Sequence, residues 1–210
     1  MRNPLRHDSP IMEFLGNMAD LIILNLLWII FSLPIITIGA SSVALYSTTR
    51  KLAANNWVPV FKTFLTSFRA NFKQGTSVLF MMLVPMLIAL LDFSFLVFDM
   101  LNGNIVLKGI CVVTLMLIVL PSSYIFPLVA HFDNSSVQTV KNSFVFAFTH
   151  PIKSLVMAAL NYIPVVLLAI VPAVFFRVFI IWLGIGFALV AFVNSKLLNP
   201  IFHSVTVKSN

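Results

Sequence analysis

The sequence predicts an all-α polytopic membrane protein with about five transmembrane helices and two amphipathic cytoplasmic helices. Three observations carry that prediction. Hydrophobic residues make up 60% of the chain and charged residues only 9%, whereas soluble domains carry roughly a quarter charged. Apolar runs near 21–40, 76–95, 110–130, 155–176 and 178–193, the last extending towards 198, approach the ~20 residues that cross ~30 Å of hydrocarbon. Between the first two runs lies NWVPVFKTFLTSFRANFK (56–73). In it Trp57, Val60, Phe61, Phe64, Leu65, Phe68 and Phe72 recur at helical spacing, with basic residues off the stripe. Such a helix lies in a membrane interface or docks its apolar face in a partner's groove.

The elements follow in order. The polar tail 1–13 carries Arg2, Arg6, Asp8 and Glu13. The apolar core behind it is too long for a secretory signal, so a retained span is expected. Pro34 interrupts this first span and predicts a kink, after which the helix can continue past Ala40 towards Arg50. Pro59 fits the first turn of the amphipathic helix. The second span holds Pro85 and, near its far end, Asp92. Asn102, Gly103 and Asn104 mark a turn before the third span. The fourth span holds Pro164 and Pro172, and Arg177 is the only charge between it and the fifth, placing a tight turn there.

Orientation rests on Lys and Arg alone. The tail and connections carry two, five, one, two, one and two of them in order, hence nine on one side against four on the other. The amphipathic segment is therefore expected in the cytoplasm, with the N-terminus outside and the C-terminus inside. The net charge of +7 is explained by the same pattern and by anionic headgroups, not by nucleic acid.

A second stretch echoes the first. Phe64, Phe68, Phe72 and Lys73 are matched at one interval by Phe144, Phe148, Ile152 and Lys153. Each stretch leads into a span with a proline, Pro85 and Pro164. The chain is thus read as one membrane domain, 1–210, with parallel repeat units 12–98 and 105–176 and a fifth span, 178–198.

Two groups of residues are candidates for function. Trp57, Phe61, Phe64, Phe68, Phe72, Phe144 and Phe148 form a partner or lipid interface. Asp20, Asn25, Pro34 and Gly39 form an intramembrane polar site, since polar groups in spans usually serve a purpose and broken helices expose backbone to solutes. The plainer readings are a solvated Asp20 at the outer end of its span, an interhelical hydrogen bond from Asn25 and a packing kink at Pro34. Asp92, Asp99 and Arg177 map to the outer side and can pair. Cys111 lies in an apolar run with no metal-site spacing. His131, Asp133 and His150 match no standard metal site. Asn134-Ser135-Ser136 fits the glycosylation pattern but falls on the cytoplasmic side. No nucleotide-binding loop, nucleophile elbow or zinc-protease motif is present, so no enzyme and no cofactor are expected.

The run S-L-P-I-I-T-I-G-A-S-S-V-A-L-Y (Ser32 to Tyr46), followed by S-F-R-A-N-F-K-Q-G-T (Ser67 to Thr76) and preceded by Asp20, Asn25 and Trp28, resembles the YesL-like bacterial membrane proteins. The resemblance covers roughly the first third of the chain. It implies a protein of the bacterial cytoplasmic membrane whose family role is not established and whose members are often encoded near carbohydrate uptake systems, including ATP-driven sugar importers. The expectation is an auxiliary subunit that meets the permease subunits of a sugar ABC transporter. The alternative is a small-solute transporter or channel lined by Asp20, Asn25 and the Pro34–Gly39 break.

Overall fold

The computed structural model describes residues 10–56, 58–100 and 103–209, and every regular element among them is helical. In order they are α1 (Pro10–Ser32), a 3-10 turn (Ile35–Thr37), α2 (Ile38–Ala53), α3 (Val60–Ala70), α4 (Phe72–Val97), α5 (Ile105–Val129), α6 (Ser136–Thr149), α7 (Pro151–Ile170), α8 (Pro172–Ile181), a π turn (Trp182–Gly186) and α9 (Phe187–Ser209). Five helical runs are long and apolar enough to cross a membrane: Leu15–Ser32, Phe72–Val97, Ile105–Val129, Pro151–Ile170 and Pro172–Ser204. Their outward side chains, such as Phe80, Val84 and Leu87, are exposed apolar groups that only lipid or another apolar surface can cover. The protein is a multi-pass helical membrane protein. Trp57, Asn102, Arg2 and Arg6 lie outside the described residues.

The predicted kink at Pro34 is a complete break. Proline disfavours helix for the residue before it, and α1 ends at Ser32. The Thr37 hydroxyl sits 2.6 Å from the Phe31 carbonyl and 2.7 Å from that of Pro34, so it meets carbonyls freed at the helix end. Beyond the break α2 is a separate helix, not a continuation of α1. Every residue of α2 from Gly39 to Thr49 is buried, and α2 packs against α1, α3, α4, α5 and α9. Small residues allow this. A Cβ on Gly39 would stand 2.1 Å from the Gly75 carbonyl oxygen, and one on Gly75 would stand 2.8 Å from the Ala40 backbone. The α2 and α4 backbones therefore touch, as small-residue interfaces in membranes allow.

The amphipathic segment is shorter than its sequence pattern. It begins after Pro59, which is extended, and ends at Asn71, so Phe72 and Lys73 open α4. In the second amphipathic stretch, Ser135 caps α6 by accepting from the Gln138 N–H at 3.3 Å. Here the echo has a different register from the one read in the sequence. Phe72 and Pro151, the first residues of α4 and α7, share one interval with Pro85 and Pro164. The buried pairs Gly75/Ser154 and Val78/Met157 keep the same interval, one residue shorter than that of the matching phenylalanines.

The turn before the fifth span also moves. It falls at Val171 (φ −136°, ψ 71°), directly before Pro172, and Arg177 lies exposed within α8. An isolated arginine does not break a helix, whereas X-Pro does. The uncharged stretch 178–195 still has the length of one crossing. Asp99 pairs with Lys108 at 2.6 Å, bridging the α4–α5 connection.

Candidate intramembrane polar site

A polar side chain that ties distant helices together in the interior is Asn25. It is fully buried in α1. Its Nδ2 donates to the Leu183 carbonyl at 2.6 Å, and its Oδ1 accepts from the Ala188 N–H at 3.0 Å. A π turn removes backbone groups from the ordinary helical ladder, and the amide of Asn25 supplies partners for two of them. The interhelical hydrogen bond predicted for this residue thus joins the first span to the last.

Beside this clamp lies a cavity of about 220 Å³ walled by α1, α2, α5, α7, the π turn and α9. Its polar wall includes Trp28, Ser42, Tyr46, Ser122, Ser123, Asn161, Tyr162 and Trp182. The lining comes from six elements far apart in sequence, and its polar members are ordered by their own hydrogen bonds. Trp28 donates from Nε1 to Ser42 Oγ at 3.1 Å. Ser122 Oγ and Tyr162 OH are 2.7 Å apart. Behind the wall, Asn194 donates from Nδ2 to Tyr46 OH at 3.1 Å and to Asn161 Oδ1 at 2.8 Å. At the wall Trp182 Nε1, a donor, is buried without a partner, as is the acceptor Asn194 Oδ1 behind it. No acidic, basic or imidazole side chain among the described residues lines the space.

None of the four residues predicted for an intramembrane polar site lines this cavity. Asn25 braces the turn that carries Trp182. Asp20 is not at the outer end of its span. It lies within the apolar window Leu15–Ser32, half-buried and engaged by other groups. Pro34 is exposed at the break, and Gly39 is occupied by the contact with Gly75. The cavity escaped the sequence reading because its polar members are hydroxyls, amides and indoles in apolar runs. The available signal was Asn161 and Asn194, two amides inside predicted spans.

The aromatic interface set divides. Phe64 is fully buried against Leu24, Ala44 and Tyr46, and Phe68 packs onto that core. These two belong to the chain's own interior. Phe61 and Phe72 on one side, and Phe144 and Phe148 on the other, are exposed. The inward positions of α6 are Thr139, Ser143 and Ala147.

At the ends of α2 and α5 a second polar group forms. The Arg50 guanidinium contacts His131 Nδ1, and the His131 ring stacks on Phe202 at 4.7 Å. Burial first, then the Arg50 charge, pushes the His131 imidazole down to about 4. Burial also lowers Arg50.

The fold and this site define a class: a small multi-pass helical membrane protein with a cavity whose described lining is polar and uncharged. The family described as "Protein of unknown function, DUF624" matches residues 21–93. The uncharacterized protein YesL of Bacillus subtilis (strain 168) is 29% identical over 140 residues, 65% of this chain and 66% of YesL. The uncharacterized protein YteU of the same organism is 30% identical over 168 residues, 75% of this chain and 73% of YteU. The chain belongs to the YesL-like family. No solved structure matches it.

Proposed function

We propose that this protein is a non-enzymatic auxiliary subunit of the bacterial cytoplasmic membrane that associates with the permease subunits of an ABC-type sugar importer. The observation that carries the reading is a pair of exposed aromatic faces on the helices between spans. Phe61 is 59% exposed on α3, near exposed Lys62 and Arg69, and Phe148 is 50% exposed on α6, near exposed Lys141. Exposed aromatics bordered by basic groups suit a contact at the headgroup level with another membrane protein. The basic-residue count supports the reading that both faces are cytoplasmic, with the N-terminus out and the C-terminus in. The parallel repeat belongs to the same proposal, with each unit contributing one face.

Co-purification in mild detergent, with mass spectrometry of the captured proteins, tests the partner. Permease subunits should appear with the native chain and disappear with Phe61→Ser/Phe148→Ser. Isolation of the chain alone, with normal sugar uptake in a deletion strain, would sink the reading. Reporter fusions after Lys73, Asn104, Lys153 and Lys208 should read in, out, in and in, and a periplasmic signal after Lys73 overturns the orientation.

A second reading is favoured by the cavity beside Trp182. The chain would then handle a small solute itself, with Asn25 holding the wall in place. Flux into liposomes that contain only this protein separates the two.

A further inference from the structure

We infer that the cavity between α1, α2, α5, α7, the π turn and α9 is a binding site for one small, uncharged, hydroxyl-rich solute of the polyol or monosaccharide class. The inference stands on the chemistry of the wall and does not require a permease partner.

Charge excludes the first alternatives. The described lining has no Asp, Glu, Lys, Arg or His, so an ion would enter an interior with nothing to neutralise it, which is costly. An apolar molecule is disfavoured for the opposite reason. It would leave Trp182 Nε1 without a partner, and orphaned buried polar groups are expensive. A ligand whose groups both donate and accept fits instead, and the hydroxyl does this. One hydroxyl can accept from the Trp182 indole, and others can meet the Ser122–Tyr162 pair and Asn161. The indoles of Trp28 and Trp182 add flat apolar faces to the same wall, so one side of a ring or polyol chain can lie against them. Size sets the upper limit. At about 220 Å³ the space is below the 300–1,000 Å³ of typical ligand pockets, which restricts it to a single small molecule.

The apolar cleft between α4, α5 and α7, lined by Met86, Phe93, Leu115 and Val166 among others, offers no such chemistry. The two spaces therefore differ in kind.

Trp28 and Trp182 make the site self-reporting. Purified protein in mild detergent is titrated with D-glucose and with glycerol while tryptophan emission is followed. Sodium chloride and 1-butanol serve as ionic and apolar controls. Saturable change with at least one of the two polyols is expected, at midpoints of about 1–10 mM for so few contacts. Asn161→Leu and Ser122→Ala should each raise that midpoint, roughly tenfold for a lost buried hydrogen-bond partner, while Phe61→Ser leaves it unchanged. If Asn161→Leu does not elute as a folded species, Ser122→Ala carries the test. Non-saturating change with both polyols, an unaltered midpoint in Ser122→Ala, or equal saturation by 1-butanol overturns the assignment. Binding by the isolated chain without any captured permease would uphold this site and remove the partner reading.

Discussion

In α3 the inward positions are Val60, Phe64 and Ser67, while in α6 they are Thr139, Ser143 and Ala147. Both helices fold back on the helix before them and lead through one non-helical residue into a proline-bearing span. The difference lies in the surface each one meets. α3 packs on α2, where Ala44 shares a core cluster with Phe64 and leaves room for a phenyl ring. α6 packs on α5, which presents Tyr124 and Leu128, so Ala147 fills the space that remains. Large faces small in each pair, in reversed roles. The next contact repeats the contrast. Gly75 touches the α2 backbone directly, whereas Ser154 at the matching place hydrogen-bonds Tyr124 OH at 2.8 Å and the Ala147 carbonyl at 2.8 Å. The α2–α4 contact is held by close backbone packing, the contact among α5, α6 and α7 by hydroxyls.

The largest break in this comparison should come from Phe64→Ala. It empties a fully buried site and is expected to cost about 3–5 kcal/mol, against about 1 kcal/mol for Ser143→Ala. Thermal unfolding in detergent, followed by size-exclusion recovery, compares the two directly, and equal losses would mean that the two units are packed alike. Next comes Gly75→Ala. The added methyl meets backbone that cannot move aside, so about 1–3 kcal/mol is expected. Ser154→Ala loses only its hydrogen bonds, about 0.5–1.5 kcal/mol. Asn25→Ala should cost about 1–3 kcal/mol for each backbone group it strands, with faster amide exchange at Ala188 as the local signature. Phe144→Ala lies on an exposed face and should change stability by less than about 0.5 kcal/mol. A larger loss would show that α6 turns this face inward.

The smallest effect concerns the contact between units, Arg50 with His131. Folding holds the imidazole at about 4, below the ~6.5 of a free histidine. The unfolded chain therefore takes up the proton first as pH falls. Stability from this group is unchanged above pH ~6.5 and declines between about 6.5 and 4. The Tm of the native chain relative to that of His131→Phe, measured from about pH 7.5 to 4.5, should fall as the buffer becomes acidic. A constant difference would contradict the buried, neutral imidazole.

Much of the fold was legible because lipid imposes length. Five apolar runs near twenty residues can hardly be anything but spans. α2 was not legible as a separate helix. Its Gly-Ala-Ser-Ser start reads as the tail of the first span, and only packing on five neighbours makes so polar a helix stable inside. The shifted turn at Val171 shows proline outranking a lone arginine as punctuation. In α6 the phenylalanines mislead, because hydrophobicity marks the core in water but marks either core or lipid in a membrane. The polar cavity is the least legible part. Its members come from six elements, joined only by the fold, and no spacing in the chain encodes their meeting.

The clamp from Asn25 onto the π turn fixes an order of events. Its two partners, Leu183 and Ala188, lie 158 and 163 residues further along the chain. At the usual ~5–20 residues per second of synthesis, the first span waits roughly ten to thirty seconds before they exist. During that interval a side-chain amide sits in a bilayer without its native partners. The last span is therefore a closing element as well as a crossing. A chain that stops before Gly184 would insert its earlier helices but leave the bundle open along α1, where membrane quality control can find it.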